Sequence, residues 1–220
     1  MTVNTTFDRP DAGLVDSFSK LGTATFHEAM GQKGALPSAL KPIYPGMRLC
    51  GPALTVGGRP ADNLMVHYAL TLAEPGDVLV IDFKGFTESG PWGDVLTTAA
   101  MAKGVAGVVI NGSVRDAREC HEMGFPVFAL GTCMKGSTKN LPGDINVPIV
   151  VGDVPIAAGD IVVGDDDGVV IVPRGAAEET LAKANAREDK EEELRTQLKA
   201  GKTTVELLGL DDALRAHGIL

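Results

Sequence analysis

The sequence predicts an α/β fold: a single domain of βαβ units around a mixed sheet, followed by a long C-terminal helical arm. Three observations carry this expectation. Short apolar runs alternate with helix-periodic segments between residues 78 and 130, the order that parallel βαβ units require. Val147 to Val172 is rich in Val, Ile, Gly and Asp and reads as hairpin strands. From Pro173 the chain turns polar and keeps helix-forming residues to about Lys199. We place the boundary at 1–173 for the α/β core and 174–220 for the arm. A length of 220 residues suits one domain with an appendage.

The elements follow in order. Asp16 to Gln32 reads as one helix, with Phe18, Leu21, Ala24, Phe26 and Ala29 as its apolar contacts. Gly34 to Gly46 is a Pro-containing connection, and Arg48 to Val56 reads as a strand. Ala61 to Leu72 is helical, because Leu64, Met65, Tyr68, Ala69 and Leu72 recur near the 3.6-residue period. After the turn Glu74 to Asp77, Val78 to Ile81 is an apolar run of the buried-strand kind. Lys84 to Gly93 is a Gly/Ser/Pro loop, and Asp94 to Lys103 a helix capped by Gly104. Val105 to Ile110 is a second buried strand, Asn111 to Ser113 a turn and Arg115 to Met123 a helix. Pro126 to Leu130 is a third strand. Gly159 to Val163 and Gly168 to Val172 are strands joined at Asp167-Gly168, a hairpin signal. The last helix carries Glu191-Glu192-Glu193 and little apolar content, so it reads as a solvated arm or one that reaches a neighbouring subunit.

Composition narrows the function. Apolar residues are 44% and charged residues 22%, which excludes a wholly disordered chain. Twenty basic against 29 acidic residues give a net charge of −9. That argues against nucleic acid or an anionic membrane as partner, since both need a basic face. No run of about 18 apolar residues exists to span a bilayer, and residues 1–11 lack the apolar stretch of a signal peptide. Cys50, Cys120 and Cys133 are scattered and odd in number, which points to reduced thiols in a cytoplasmic protein.

His27, His67, His121 and His217 have no metal-ligand spacing, and read as surface or internally satisfied side chains. GxGxxG, GxxxxGK[ST] and GxSxG are all absent. Two junctions stand out, Gly93-Asp94-Val95-Leu96 and Ser113-Val114-Arg115-Asp116. Each sits where an apolar strand feeds a helix through a loop, the usual ligand position in α/β sheets. Helix-start amides favour an anion. Arg115 offers a fork for a carboxylate, Asp116 a hard oxygen for Mg²⁺ or Mn²⁺, and Asp94 a group to orient water. The same residues also suit a plainer role: Asp94 and Asp116 as helix N-terminal residues, worth about 1 kcal/mol each, and Arg115 as a surface ion pair.

Asp94, twenty residues, then Arg115-Asp116 resembles the D-x20-R-D motif of class II pyruvate aldolases of the 4-hydroxy-4-methyl-2-oxoglutarate/4-carboxy-4-hydroxy-2-oxoadipate type. Those enzymes share the fold of the regulator of ribonuclease E activity A. The similarity extends over Thr25 to Ala29, Asp62 to His67, Pro75 to Val80 and Gly159 to Val170, and covers roughly residues 14 to 201. The resemblance implies a swivelling β/β/α fold and a metal-dependent lyase. It places Mg²⁺ or Mn²⁺ on Asp116 and the pyruvyl group on Arg115. It places the substrate carboxylate on the amides of Gly93, Asp94, Val95 and Leu96, and a catalytic water on Asp94. It implies that Glu191, with Glu192 as the next choice, serves the metal of an adjacent subunit, in a homotrimer or homohexamer.

The reaction so implied is retro-aldol cleavage of a 4-hydroxy-2-oxo acid to pyruvate through a metal-stabilised enolate, with oxaloacetate decarboxylation as a side activity. None of Lys84, Lys103 and Lys139 carries a feature that marks a Schiff-base nucleophile. The loop Phe83 to Trp92 departs from the Cys- and Asp-Gly-containing loop of the aromatic-degradation aldolases, which leaves the distal half of the substrate open. Lys139 matches a lysine often found in these aldolases, and fits either a distal carboxylate or the open surface. The alternatives are a non-catalytic ribonuclease regulator on the same fold, and another enolate reaction on a small oxo diacid.

Overall fold

A computed structural model describes residues 1–220. Its elements are α1 (Ala12–Phe18), α2 (Thr23–Ala29), β1 (Lys41–Pro42), β2 (Leu49–Gly57), α3 (Leu64–Leu72), β3 (Val78–Phe86), α4 (Asp94–Ala102), β4 (Gly107–Val114), α5 (Ala117–Glu122) and β5 (Val127–Thr132). Then come β6 (Asp144–Ile145), β7 (Ile149–Val151), β8 (Val154–Ile156), β9 (Ile161–Asp165), β10 (Gly168–Val172), α6 (Ala177–Lys199), α7 (Thr204–Leu208) and α8 (Asp211–Ala216).

The main sheet runs β1-β5-β4-β3-β2-β9-β10, with β6 on the end of β2. Strands β2, β3, β4 and β5 are parallel neighbours. Strands β1, β9 and β10 pair antiparallel at the two flanks. The sheet curls until its flanks approach: Lys41 of β1 donates to the Asp167 carbonyl beside β10 at 2.6 Å. Strand alternation sorts the core. Leu79, Ile81, Phe83, Val108 and Ile110 pack under the face that α3, α4 and α5 cover. Val78, Val80, Val109 and Phe128 face the other way, towards the β7–β8 hairpin. A third apolar cluster lies where Phe18 and Phe26 stack at 4.6 Å against β9, β10 and the root of α6.

The structure corrects several expectations. The single helix over 16–32 is two helices broken at residues 19–22. The carboxylate of Asp165, from the β9–β10 hairpin, accepts from the Thr23 amide (2.8 Å) and hydroxyl (2.7 Å) and so caps α2. The sequence near Gly22 gives no sign of that distant acceptor. Strand β3 continues through Lys84-Gly85, both left-handed at φ 59° and 72°, and strand β4 includes the expected turn at 111–113. A register shift between the Asp82 and Phe86 pairings absorbs the irregularity.

Helix α6 spans 23 residues, about 35 Å at 1.5 Å per residue. Ala177, Thr180 and Ala184 are buried near its start. Beyond them it carries ion pairs: Arg187 with Glu28 (3.5 Å) and Glu191 (2.9 Å), and Arg195 with Glu188 (2.7 Å) and Glu192 (2.9 Å). Helices α7 and α8 follow, the first opened by a Thr203–Glu206 capping box. No helix is long and apolar enough to cross a membrane.

Candidate active site

The two junctions singled out in the sequence meet in space. Arg115 and Asp116 leave the C-terminal end of β4, and Gly93 to Leu96 open α4 beside them. The Arg115 amide donates to the Trp92 carbonyl at 2.8 Å, which ties the loops together. Trp92 anchors the junction from below. It is buried, its Nε1 donates to Thr97 Oγ1 at 2.9 Å, and its ring stacks on Phe125.

Gly93 is extended, a conformation open to any residue, so its need for glycine is spatial. A Cβ there would lie 2.3 Å from Asp116 Oδ2 and 3.0 Å from Arg115 Cγ. Asp116 takes the left-handed conformation at φ 52°, uncommon outside Gly and Asn/Asp. This aims its carboxylate back at the junction. Oδ2 lies 3.3 Å from Arg115 Nε and accepts a long 3.4 Å bond from the Asp94 amide. Asp94 Oδ1 accepts from the Val95 amide at 2.7 Å.

The two junctions meet beside a pocket of about 290 Å³. Gly93, Val95, Leu96 and Arg115 form one wall. Asn63 and His67 of α3, Gly90 and Pro91 of the loop after β3, and Gly136, Ser137 and Lys139 of the loop after β5 form the rest. The walls are braced. Asp62 accepts from Thr138 Oγ1, the Asn140 and Leu141 amides and the Leu64 amide, which fixes the segment bearing Lys139 against the start of α3. Burial raises the Asp62 pKa, but those four hydrogen bonds outweigh it and hold the carboxyl below its ordinary value. Glu88 pairs with Lys135, and the Gly90 amide donates to the Lys135 carbonyl at 2.8 Å, joining the two loops at the rim.

Asn63, His67 and Ser137 are functional candidates that the sequence reading missed. Asn63 Oδ1, His67 Nε2 and Ser137 Oγ are buried without hydrogen-bond partners, and only one other such side-chain atom occurs, on Asn146. Three of four orphaned atoms on one pocket's lining is the mark of a binding surface. His67 is therefore not an internally satisfied histidine. Burial, then the Lys139 charge, lower its pKa and favour the neutral ring. The available signal was Asn63 and His67, four residues apart at the start of a mostly apolar helix. Lys139 does line the pocket, with Arg115 as its second cation and no carboxylate in the lining.

A larger groove of about 1030 Å³ lies between α2 and α6 and shares no residue with this pocket. Two of its carboxylates are already engaged, Glu28 by Arg187 and Glu179 by Lys183. The orphaned polar atoms gather instead in the pocket beside Arg115. Within one chain no three His, Cys, Asp or Glu side chains gather as a metal site. Glu191 sits on the arm, paired with Arg187 and Arg195. Asp116 is the carboxylate that fits a divalent cation: a hard oxygen donor, one-third exposed, beside a pocket that admits a small chelating ligand.

The chain is similar to several known proteins. A protein of Halalkalibacterium halodurans, provisionally named a 4-hydroxy-4-methyl-2-oxoglutarate aldolase, is 39% identical over 179 residues, 81% of this chain and 85% of that one. The crystal structure of Streptomyces coelicolor RraAS2, described as an unusual member of the RNase ES inhibitor RraA family, superposes with a TM-score of 0.77 at 32% identity. It covers 86% of this chain and 99% of its own, so the match extends into the arm. The RNA-processing inhibitor RraA of Thermus thermophilis gives a TM-score of 0.64 at 31% identity, over 70% of this chain and 93% of its own. The family model described as RraA-like, Aldolase/RraA, matches residues 12–171, and the chain belongs to that family.

Proposed function

We propose that the protein is a divalent-metal-dependent lyase that cleaves a 4-hydroxy-2-oxo acid to pyruvate and a second oxo compound, with oxaloacetate decarboxylation as a companion activity. The observation that carries this reading is the convergence of Arg115 and the first turn of α4 on one small pocket, with the Asp116 carboxylate held directly behind them against Arg115 Nε and the Asp94 amide. The aldolase name of the Halalkalibacterium relative supports it.

The start of α4 turns its positive dipole end to the substrate's carboxylate, and in this reading the Asp94 and Val95 amides exchange their contacts with Asp116 and Asp94 for it. The Arg115 guanidinium stands where negative charge grows on the 2-oxo oxygen and stabilises the enolate. Asp116 would hold Mg²⁺ or Mn²⁺, which when bound supplies Lewis-acid polarisation of the 2-oxo acid. Asp94 orients a water that takes the C4 hydroxyl proton. The C3–C4 bond then breaks, its electron pair stays on C3 as the enolate, and C4 leaves as a carbonyl. The same water returns that proton to C3, which completes pyruvate. Val95 and Leu96 line the apolar side of the bound pyruvyl group.

The active form in this reading is a homotrimer or homohexamer. The core 1–173 supplies the pocket, and the arm 174–220 of a neighbour brings Glu191, or Glu192 beside it, to support the metal. Exposed Leu64, Tyr68, Val95, Met134 and Leu141 sit on or next to the pocket-lining segments, an apolar surround suited to a second copy. The decisive test is pyruvate release from oxaloacetate with Mg²⁺ or Mn²⁺, with EDTA, and in Asp116→Ala. Release that survives both chelation and the substitution refutes the reading. The RraA names of two solved relatives favour a second reading, regulation of a ribonuclease. It is supported if the protein binds and inhibits a ribonuclease while releasing no pyruvate.

A further inference from the structure

Asn63, the residue that precedes α3, and His67, whose amide donates to the Asn63 carbonyl at 3.2 Å across the first turn, both line the pocket wall. Asn63 is 7% exposed, and its orientation is set by the protein, because Nδ2 donates to the Pro91 carbonyl at 2.8 Å. A carbonyl only accepts, so the amide cannot be flipped, and Oδ1 is left as a fixed, buried acceptor. That acceptor repels a carboxylate and needs a donor from the ligand. His67 Nε2 is the second buried orphan on this wall. The neutral ring can present Nε2 as a donor. A fixed acceptor beside a donor is the complement of one alcohol group, which both gives and takes a hydrogen bond.

We propose that Asn63 and His67 form the subsite for the C4 hydroxyl of the substrate, with Asn63 Oδ1 accepting from that hydroxyl and His67 Nε2 donating to it. The inference rests on the lyase reading and deepens it: the preferred substrates are 2-oxo acids hydroxylated at C4. Ser137 Oγ and the Lys139 ammonium, on the same pocket, serve the groups that C4 carries beyond the hydroxyl. Neither Asn63 nor neutral His67 takes the proton in this scheme. Rotation about the C4–O bond passes it to the water that Asp94 holds, so the pair acts by binding and orienting. Asn63 and His67 are thus specificity-determining residues, and they separate two reactions that share one enolate. Oxaloacetate, in its keto form, has no C4 hydroxyl and does not need them.

The experiment compares kcat/KM for cleavage of 4-hydroxy-4-methyl-2-oxoglutarate with kcat/KM for oxaloacetate decarboxylation, in the full chain with Mg²⁺. Asn63→Ala and His67→Phe are expected to lower the first by about 10- to 100-fold and the second by less than about threefold. Equal losses in both reactions, or no loss in either, overturn the assignment. Absence of both activities in the unaltered protein removes the lyase reading and this assignment with it. A measurement on the unaltered protein guards against misfolded variants. As inhibitors of decarboxylation, 4-hydroxy-2-oxoglutarate should bind at least about tenfold more tightly than 2-oxoglutarate. Equal inhibition constants overturn the assignment.

Discussion

Gly93→Ala tests the geometry of the junction with a single methyl group. The new Cβ would stand 2.3 Å from Asp116 Oδ2 and 3.2 Å from Arg115 Nε. Ordinary contact begins near 3.4 Å, so the carboxylate must retreat by about 1 Å. A misplacement of that size in a reacting constellation costs about 10²-fold in rate, or roughly 3 kcal/mol of transition-state stabilisation. The backbone at Gly93 is extended and accepts alanine, and the side chains that must move are partly exposed. Folding stability should therefore change by less than about 1 kcal/mol. Gly175→Ala is the control, because nothing lies within 4 Å of its Cβ position. The assay is steady-state pyruvate release across a Mg²⁺ titration, with thermal melting of each variant. A Gly93→Ala enzyme within threefold of the unaltered protein, at the same Tm, would show that Asp116 and Arg115 need not hold their observed positions.

Three further outcomes follow from the framework. Arg9 grips the fully buried Asp77 through two bonds of 2.8 Å, so Arg9→Ala should destabilise the fold by about 2–3 kcal/mol in urea denaturation; a loss under 0.5 kcal/mol would contradict it. Burial pushes the Cys50 thiol up to about 12 and also raises Cys120, so a thiol reagent at pH 8 should label Cys133 quickly and all three only after unfolding. Rapid labelling of two thiols in the native protein would refute this. Asp62 has a folded pKa below its unfolded value near 3.8, so its contribution to stability is present above about pH 4 and is lost as pH falls through the folded value. The stability gap between the unaltered protein and Asp62→Asn should shrink from pH 6 to pH 3, and a gap independent of pH would rule out this linkage.

What the sequence discloses depends on how local its cause is. Strands β3 to β5 and helices α3 to α5 are legible because buried apolar runs and helix-period segments alternate between glycine-marked turns. The break between α1 and α2 is not, because Asp165, which caps α2, is 142 residues from Thr23. The extensions of β3 and β4 are hidden by Lys84, Gly85, Asn111 and Gly112, which read as loop until a neighbouring strand holds them. Strands β1, β6, β7 and β8 and helices α7 and α8 are too short to give a period. At the site, Gly93, Asp94, Arg115 and Asp116 are legible as loop-to-helix junctions. Asn63, His67 and Ser137 are not, because each is a single polar residue whose meaning is its missing partner in three dimensions.

The pairing of β2 sets an order on folding. One edge of β2 meets β3, reached within about 20 residues, while the other meets β9, where Leu49 aligns with Gly164. During synthesis the β2–β5 half, with every pocket-lining residue, leaves the ribosome before residues 161–172 can close the open edge. Such non-local closure slows folding and leaves an unpaired strand exposed while it waits. The β9–β10 hairpin thus acts as a late clasp, and a chain truncated near residue 158 would carry every pocket-lining residue on a sheet ready to stick to its neighbours.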